Sequence, residues 1–355
     1  MDRNQPYNDL PLLPPKIDLD DPRILRKAIN ANRRLAELKG AVLSIPNQDI
    51  LVNGIVLQEA RLSSEIENIV TTNDELYRAA ADKSLTKDPK TKEVLRYREA
   101  LWHGLNVLET KPLSTNLFIE VVSIIKETGM SIRKVPGTKI ASQEEIIYTP
   151  PEGESIIRDK LSNLEKFIHA DDHIDSLIKL AIMHYQFEAI HPFTDGNGRT
   201  GRIINILFLV EKGLLDNPIL FLSHYILKNK AQYYQCLRRV TENSAWVEWI
   251  SYMLDAVEVT AKETQERVVN ILEAMDKARE LVRTKVPKIY SKDLIETIFM
   301  HPYSKVQFLV DVGLAKRQTA AAYLKQLEEL GLLRVERVGK EQYYINTRLV
   351  QILSK

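Results

Sequence analysis

His191-Pro192-Phe193-Thr194-Asp195-Gly196-Asn197-Gly198-Arg199-Thr200-Gly201-Arg202 is the densest polar run in the chain, and it stands between two strongly apolar stretches, SLIKLAIMHYQFEAI and RIINILFLVEKGLL. Gly196 and Gly198 remove two side chains, so backbone N–H groups can converge on one point. A helix is expected from about Arg199, and its N-terminus offers unpaired donors and the positive end of the helix dipole. Together these make a cradle for a phosphate. Arg199 and Arg202 are three residues apart and share a helix face, where two guanidiniums suit polyphosphate oxygens. Asp195 adds a hard oxygen ligand fit for Mg²⁺. His191, at the loop entrance, can act as a base near neutral pH. Phe193 reads as an apolar plug. A plain Gly/Asn loop with solvated arginines is the bland alternative, but it does not explain so many functional residue types within twelve positions.

Outward from this loop the chain reads as helical. Expected helices lie at about 22–39, 49–69, 91–109, 114–128 and 154–168, then on either side of the loop, then at 221–239 and 244–280. The first starts at Asp21-Pro22, an N-cap followed by an N1 proline, and Gly40 is its expected stop. Residues 133–150 carry proline, glycine and β-branched residues without a helical stripe, and predict a short hairpin closed by Pro150-Pro151. Lys285–Lys288 reads as a linker. Beyond it, helices at 289–300, 304–312 and 316–330 precede an alternating ribbon that turns at Gly339-Lys340, the order of a winged helix-turn-helix. The expected fold class is mainly α, an all-helical core with a small β-hairpin flap followed by that tail. The expected regions are an N-terminal helical region 1–110, a core 111–280 and a tail domain 285–355.

Composition excludes several classes. The chain has 355 residues with 49 basic and 48 acidic side chains, a net charge of +1. That balance hides a tail (281–355) with 13 basic and 7 acidic residues, net +6, and a remainder with 36 and 41, net −5. The single cysteine, Cys236, forbids an internal disulfide and argues against a cysteine-built zinc site. There is no apolar run of membrane length and no basic-then-apolar leader pattern, so a soluble cytoplasmic protein is expected. No Walker A loop and no HExxH occur. His184 sits in an apolar stripe and reads as a core histidine.

The string HPFTDGNGRTGR resembles the signature of the Fic family, HPFx[DE]GNGRxxR, at every fixed position, and the likeness extends over roughly residues 1–280. The resemblance implies an adenylyltransferase that moves AMP from ATP to a Ser, Thr or Tyr hydroxyl of a target protein. It makes His191 the catalytic base and Asp195 the Mg²⁺ ligand. Gly196, Asn197, Gly198 and Arg199 become the phosphate loop, Arg202 the grip on the γ-phosphate, and Thr200 and Gly201 part of the same ATP site. Kinase-like relatives replace the second glycine by lysine and lack the last arginine; Gly198 and Arg202 are both present, which favours AMP transfer.

Upstream, Ser63-Ser64-Glu65-Ile66-Glu67-Asn68 is similar to the family's inhibitory pattern, [ST]xxxE[GN], in a helix of about 49–70. The resemblance implies that Glu67, with Ser63 beside it, occupies Arg202 and holds ATP off. In some relatives that glutamate also supports AMP removal. The hairpin at about 137–149 is similar to the family's flap, with Ile146, Ile147 and Tyr148 expected to dock an extended target segment or line the adenine site. Tyr233 and Tyr234 lie where relatives contact adenine or ribose, although one tyrosine in the core and one in solvent explains the pair equally well. For the tail, Lys316, Arg317, Gln318 and Thr319 would face DNA, with Arg334, Arg337 and Lys340 on the wing; a protein-interaction module is the alternative. A nucleotide-sensing transcription regulator is the competing function, although it has no need of His191. Self-modification and a homodimer are left open by the sequence.

Overall fold

The computed structural model describes residues 2–45, 47–82, 86, 88–142 and 145–354. Helix α1 (Pro22–Val42) starts as expected, with the Asp21 carboxylate accepting from the Arg23 N–H at 2.8 Å. It runs through Gly40, which is not in the left-handed conformation a C′ stop requires. Helix α2 (Asp49–Ile66) ends earlier than expected because Asn68 turns left-handed, φ +62°, and Glu67 becomes the C-cap. Helix α3 (Asn73–Ala81) was not expected, yet its signal is local: Thr72 and Glu75 form a reciprocal capping box. Helix α4 (Pro89–Leu108) repeats the aspartate-proline start of α1 through Asp88, and α5 (Thr115–Lys126) is capped by Ser114.

Strands β1 (Ile140–Ser142) and β2 (Glu145–Tyr148) pair antiparallel, with Ile140 opposite Tyr148 and Ala141 opposite Ile146. Residues 143 and 144, within the expected hairpin, lie outside the described residues. Helix α6 (Glu154–His169) is followed by α7 (Ser176–Ile190), whose Asp175 cap accepts from the N–H groups of Leu177 and Ile178. Helix α8 (Asn197–Glu211) begins two residues before the expected Arg199. Both α7 and α8 are buried almost all round, which is why their sequences lack a polar face. The single helix expected at 221–239 is two, α9 (Leu222–Lys228) and α10 (Lys230–Asn243), broken at Asn229.

Helix α11 (Trp246–Lys285) is 40 residues long, roughly 60 Å at 1.5 Å per residue. It is the spine: α1 packs along it, and α7, α9 and α10 lean on it. In its first turn Trp249 is fully buried, donates from Nε1 to the Ala181 carbonyl at 2.7 Å, and stacks on His184 and Tyr252. The expected linker is short. Helix α11 runs through Lys285, and a 3₁₀ turn (Pro287–Ile289) follows directly.

The tail has the expected three helices, α12 (Lys292–Met300), α13 (Val306–Asp311) and α14 (Arg317–Glu329). The ribbon is formed by β4 (Arg334–Val338) and β5 (Glu341–Ile345), with Gly339 left-handed in the turn. Two elements go beyond expectation. Strand β3 (Tyr303–Ser304) joins the sheet in the order β3-β5-β4, and α15 (Thr347–Leu353) packs on α11 and α2. Helix α12 also packs on α2 and α11, and one apolar cluster runs unbroken from Leu10 to Leu353.

Candidate active site

Helix α7 stops at His191, which adopts a left-handed conformation with φ +49° and closes the helix through its N–H on the Phe187 carbonyl at 3.0 Å. The backbone beyond it is clamped by Arg133. That guanidinium donates to the carbonyls of His191 (2.8 Å), Ile190 (3.2 Å) and Pro151, and the Arg133 N–H donates to Pro192 O at 2.9 Å. Phe193 is fully buried and meets Phe187. Asn197 is spent on architecture rather than on a ligand. Its amide accepts from the Phe193 N–H at 2.9 Å and donates to the Phe193 carbonyl at 2.8 Å, which closes the loop on itself. What it leaves for an anion is its backbone N–H, one of the free donors at the start of α8. Gly196, with φ +82°, sets the entry to that helix.

The charged groups of the loop are all engaged. Arg202, 1% exposed, donates from Nε to Ser63 Oγ (2.7 Å) and from Nη2 to the Ser63 carbonyl and to Glu67 Oε1, each at 2.9 Å. Helix α2 thus reaches Arg202 with both residues that the sequence singled out. Gly198 is what lets the carboxylate in: a Cβ there would stand 2.3 Å from Glu67 Oε1. Arg199, also buried, pairs with Glu93 at 2.7 Å while its Nε has no partner. Asp195 is exposed and pairs with Lys126 at 2.5 Å; Lys126 also reaches Glu93 at 3.2 Å. Glu93, Lys126 and Arg133 lie in three separate segments and match no local motif, so sequence reasoning missed them.

The electrostatics follow from burial and these pairs. Burial pushes His191 down to about 4, with the charge of Arg133 adding to it, so the ring is neutral at pH 7. Its Nδ1 is buried without a regular hydrogen bond. Burial alone would raise Glu67, but the charge and hydrogen bond of Arg202 outweigh it and hold the carboxyl below its ordinary range. Asp195 is likewise held low, Lys126 outweighing desolvation. Two buried carboxyls go the other way. Desolvation raises Glu59, which accepts from Ser223, and Glu188, whose Oε1 has no partner, each to about 7.

Several expected residues lie away from the cradle. Thr200 is fully buried with its hydroxyl unpartnered, and Gly201 is pressed against α7, where a Cβ would meet Glu188 Oε1 at 2.5 Å. Both are therefore packing positions. Tyr233 is a core residue whose hydroxyl pairs with His184 Nε2 at 2.9 Å, whereas Tyr234 is 45% exposed. Only Tyr234 can meet a ligand from outside. Tyr148 is buried and donates to the Ala189 carbonyl at 2.9 Å, so it anchors the hairpin to α7; Ile146 and Ile147 are half-buried on the hairpin. Cys236 is buried on α10.

Among the described residues no cluster of three or more His, Cys, Asp or Glu could hold a metal unaided. The donor set still fits Mg²⁺, which commonly takes one or two carboxylates and completes its shell with phosphates and water. Asp195 would supply the carboxylate once Lys126 swings aside.

Three family descriptions match in sequence order: Fic/DOC family N-terminal over residues 25–106, Fic/DOC family over 112–209, and the C-terminal domain of protein adenylyltransferase SoFic-like over 274–349. The chain is 32% identical over 200 residues to a probable protein adenylyltransferase of Aquifex aeolicus, a match covering 54% of this chain and 55% of that one. It is 39% identical over 64 residues to protein adenylyltransferase fic-1 of Caenorhabditis elegans, covering 18% and 11%. The chain therefore spans about half the length of the first relative and about a tenth of the second. In fold it is similar to a Fic family protein from Desulfovibrio desulfuricans (TM-score 0.60, 18% identity, 96% of this chain and 98% of that one). It is also similar to C. elegans Fic-1 (TM-score 0.54, 20% identity, 70% and 74%). No helix among the described residues is long and apolar enough to cross a membrane.

Proposed function

Because this chain belongs to the Fic/DOC family, we propose that it is a protein adenylyltransferase, using ATP with Mg²⁺ to place AMP on a hydroxyl of a target protein, and that α2 holds it inactive. The observation that carries the reading is the 2.9 Å pair of Glu67, at the end of α2, with Arg202, on the second turn of α8, with neutral His191 nearby. The free N–H groups at Asn197, Gly198 and Arg199 would take phosphate oxygens, with Arg199 and Arg202 neutralising charge at the leaving pyrophosphate. His191 would accept the proton of the attacking hydroxyl. Bound Mg²⁺, held by Asp195, supplies further neutralisation of the phosphates. An edge of the hairpin near Ile146 and Ile147 would guide an extended target segment by main-chain pairing.

In the state described, ATP meets a negative charge where it needs a positive one. Glu67 covers Arg202, Glu93 holds Arg199, and Lys126 holds Asp195. Activity therefore requires α2 to shift. We read 1–110 as the regulatory region, 111–280 as the catalytic core and 285–355 as a winged-helix unit. Incubation with Mg²⁺ and ATP labelled at the α-phosphate tests the proposal. Glu67→Gly should raise protein labelling roughly 5- to 150-fold, the range of typical coupling energies, and His191→Ala in that background should cut it by roughly 10²–10⁴-fold. If Glu67→Gly labels neither itself nor any protein of a lysate, the chain is not an adenylyltransferase. Release of AMP from a pre-labelled target by wild type, but not by Glu67→Gly, would add the reverse reaction.

A further inference from the structure

Arg267 is the feature of the molecule that its neighbours leave unexplained. It lies on α11, is 6% exposed, and neither Nε nor Nη1 has a hydrogen-bond partner. Its guanidinium lies over the Phe221 ring, 4.7 Å from the centroid, so one face is covered while the donor edge stays free. A buried, unpaired guanidinium is costly to maintain. Here it borders two adjoining cavities, one of about 270 Å³ between α2, α9 and α15, and one of about 230 Å³ between α11 and α15.

The larger cavity has a polar end and an apolar end. Arg61, Lys228 and Arg267 supply three cations; Glu65 holds Arg61 at 2.9 Å, and among the described residues no carboxylate hydrogen-bonds Lys228 or Arg267. Leu62, Phe221, Leu227 and Leu353 line the remainder. Desolvation draws His224 below the ordinary histidine range, and it stands 3.7 Å from Glu263. Glu263 and Glu266 border the smaller cavity and soften the charge of Arg267, but neither hydrogen-bonds it. Two positive charges, one of them a preorganised fork, match a phosphomonoester dianion, and the leucines match a compact apolar body attached to it.

We propose that this cavity is a binding site for a small phosphomonoester, separate from the ATP cradle on α8 and built jointly by α2, α9, α11 and α15. Its position gives it leverage. Gln58, Arg61, Leu62 and Glu65 of α2 face the cavity, while Ser63 and Glu67 of the same helix face Arg202. An anion held between Lys228 of α9 and Arg267 of α11 packs against α2, the helix that covers the α8 N-terminus, and so bears on where that helix rests. Only the regulatory meaning of that movement rests on the adenylyltransferase reading; the binding does not.

Calorimetric titration of the full chain, without ATP, with phenyl phosphate and separately with inorganic phosphate tests the site. Phenyl phosphate should bind roughly tenfold tighter than inorganic phosphate, because only it fills the apolar end. Arg267→Met keeps the packing on Phe221 and should abolish the phenyl phosphate event while melting no lower than wild type in anion-free buffer. Lys228→Gln, at an exposed position, should weaken binding several-fold without altering the melt. Hydrogen exchange across residues 58–68 should change when phenyl phosphate is added. Binding that survives Arg267→Met and Lys228→Gln, or no binding at all, overturns the site. Equal affinity for the two phosphates overturns the apolar pocket, and unchanged exchange in 58–68 overturns the link to α2.

Discussion

At the residue scale, Asn68 shows what a short pattern encodes. The final [GN] of the inhibitory string is a backbone requirement: position 68 sits at φ +62°, which glycine and asparagine tolerate and β-branched residues do not. Asn68→Gly should leave the melt almost unchanged, while Asn68→Val should cost about 1–2 kcal/mol and raise labelling by loosening Glu67; a thermal melt and a labelling assay read both. His191 offers a pH test. Its pKa near 4, set first by desolvation and then by Arg133, leaves it a free base throughout the neutral range. The acid limb of kcat/KM for Glu67→Gly should therefore fall well below the ordinary histidine value of about 6.5, since removing Glu67 also removes a charge that raises His191. A limb at 6.5 would mean that the ring is solvated. Glu59 gives the opposite sign. Its carboxyl is raised to about 7 by burial, so the stability it contributes is present below its ordinary value of 4.5 and is lost as pH rises through 7. Between pH 5 and 8 wild type should lose a few kcal/mol relative to Glu59→Gln, order-of-magnitude, measured by urea unfolding at each pH.

At the element scale, the loop between α7 and α8 was legible where its chemistry is local and illegible where distant segments hold it. The spacing of Gly196, Gly198 and the two arginines predicts an anion cradle, and the loop does lead into the N-terminus of α8, where that cradle is proposed. The sequence predicts Asn197 as a phosphate contact, but its amide is taken up by Phe193, an outcome decided by loop geometry that no residue count contains. Arg133 left no sequence signal, because it lies 58 residues from the carbonyl of His191 and acts only through backbone oxygens. Its loss is correspondingly specific. Arg133→Met leaves three carbonyls without their charged donor, each such bond worth about 1.5–3 kcal/mol, and removes a charge that lowers His191. The variant should melt lower and shift the acid limb of the activity profile upward. A lower melt with an unmoved limb would make Arg133 a structural clamp alone.

At the scale of the whole molecule, the sequence suggested a body and a tail joined by a linker, because the composition turns basic near Lys285 and proline follows. Packing ties the two together. Tyr303 donates to Asp74, Arg78 pairs with Glu336, Lys305 pairs with Asp82 at 2.6 Å, and Asn73 donates to Ser354 at 3.0 Å, all between α3 or its flanks and the tail. Leu353 of α15 fits against Gly54 of α2, where a Cβ would approach its methyl groups to 2.9 Å. Charge arithmetic could not foresee this, since the contacts depend on α3 and α15, two short helices that the periodic pattern did not reveal. The consequence is that tail and α2 should unfold together. Leu353 is buried, and Leu353→Ala should cost about 2–5 kcal/mol. Because the contact bears on α2, the same variant should raise labelling in wild type and leave Glu67→Gly unaffected, for there the carboxylate is already gone. Helix loss by circular dichroism and tryptophan fluorescence from Trp102, Trp246 and Trp249, all outside the tail, should trace one transition in wild type. A separate early transition, silent in fluorescence and accompanied by unchanged labelling in Leu353→Ala, would show that the tail is a passenger on α2 and not its restraint.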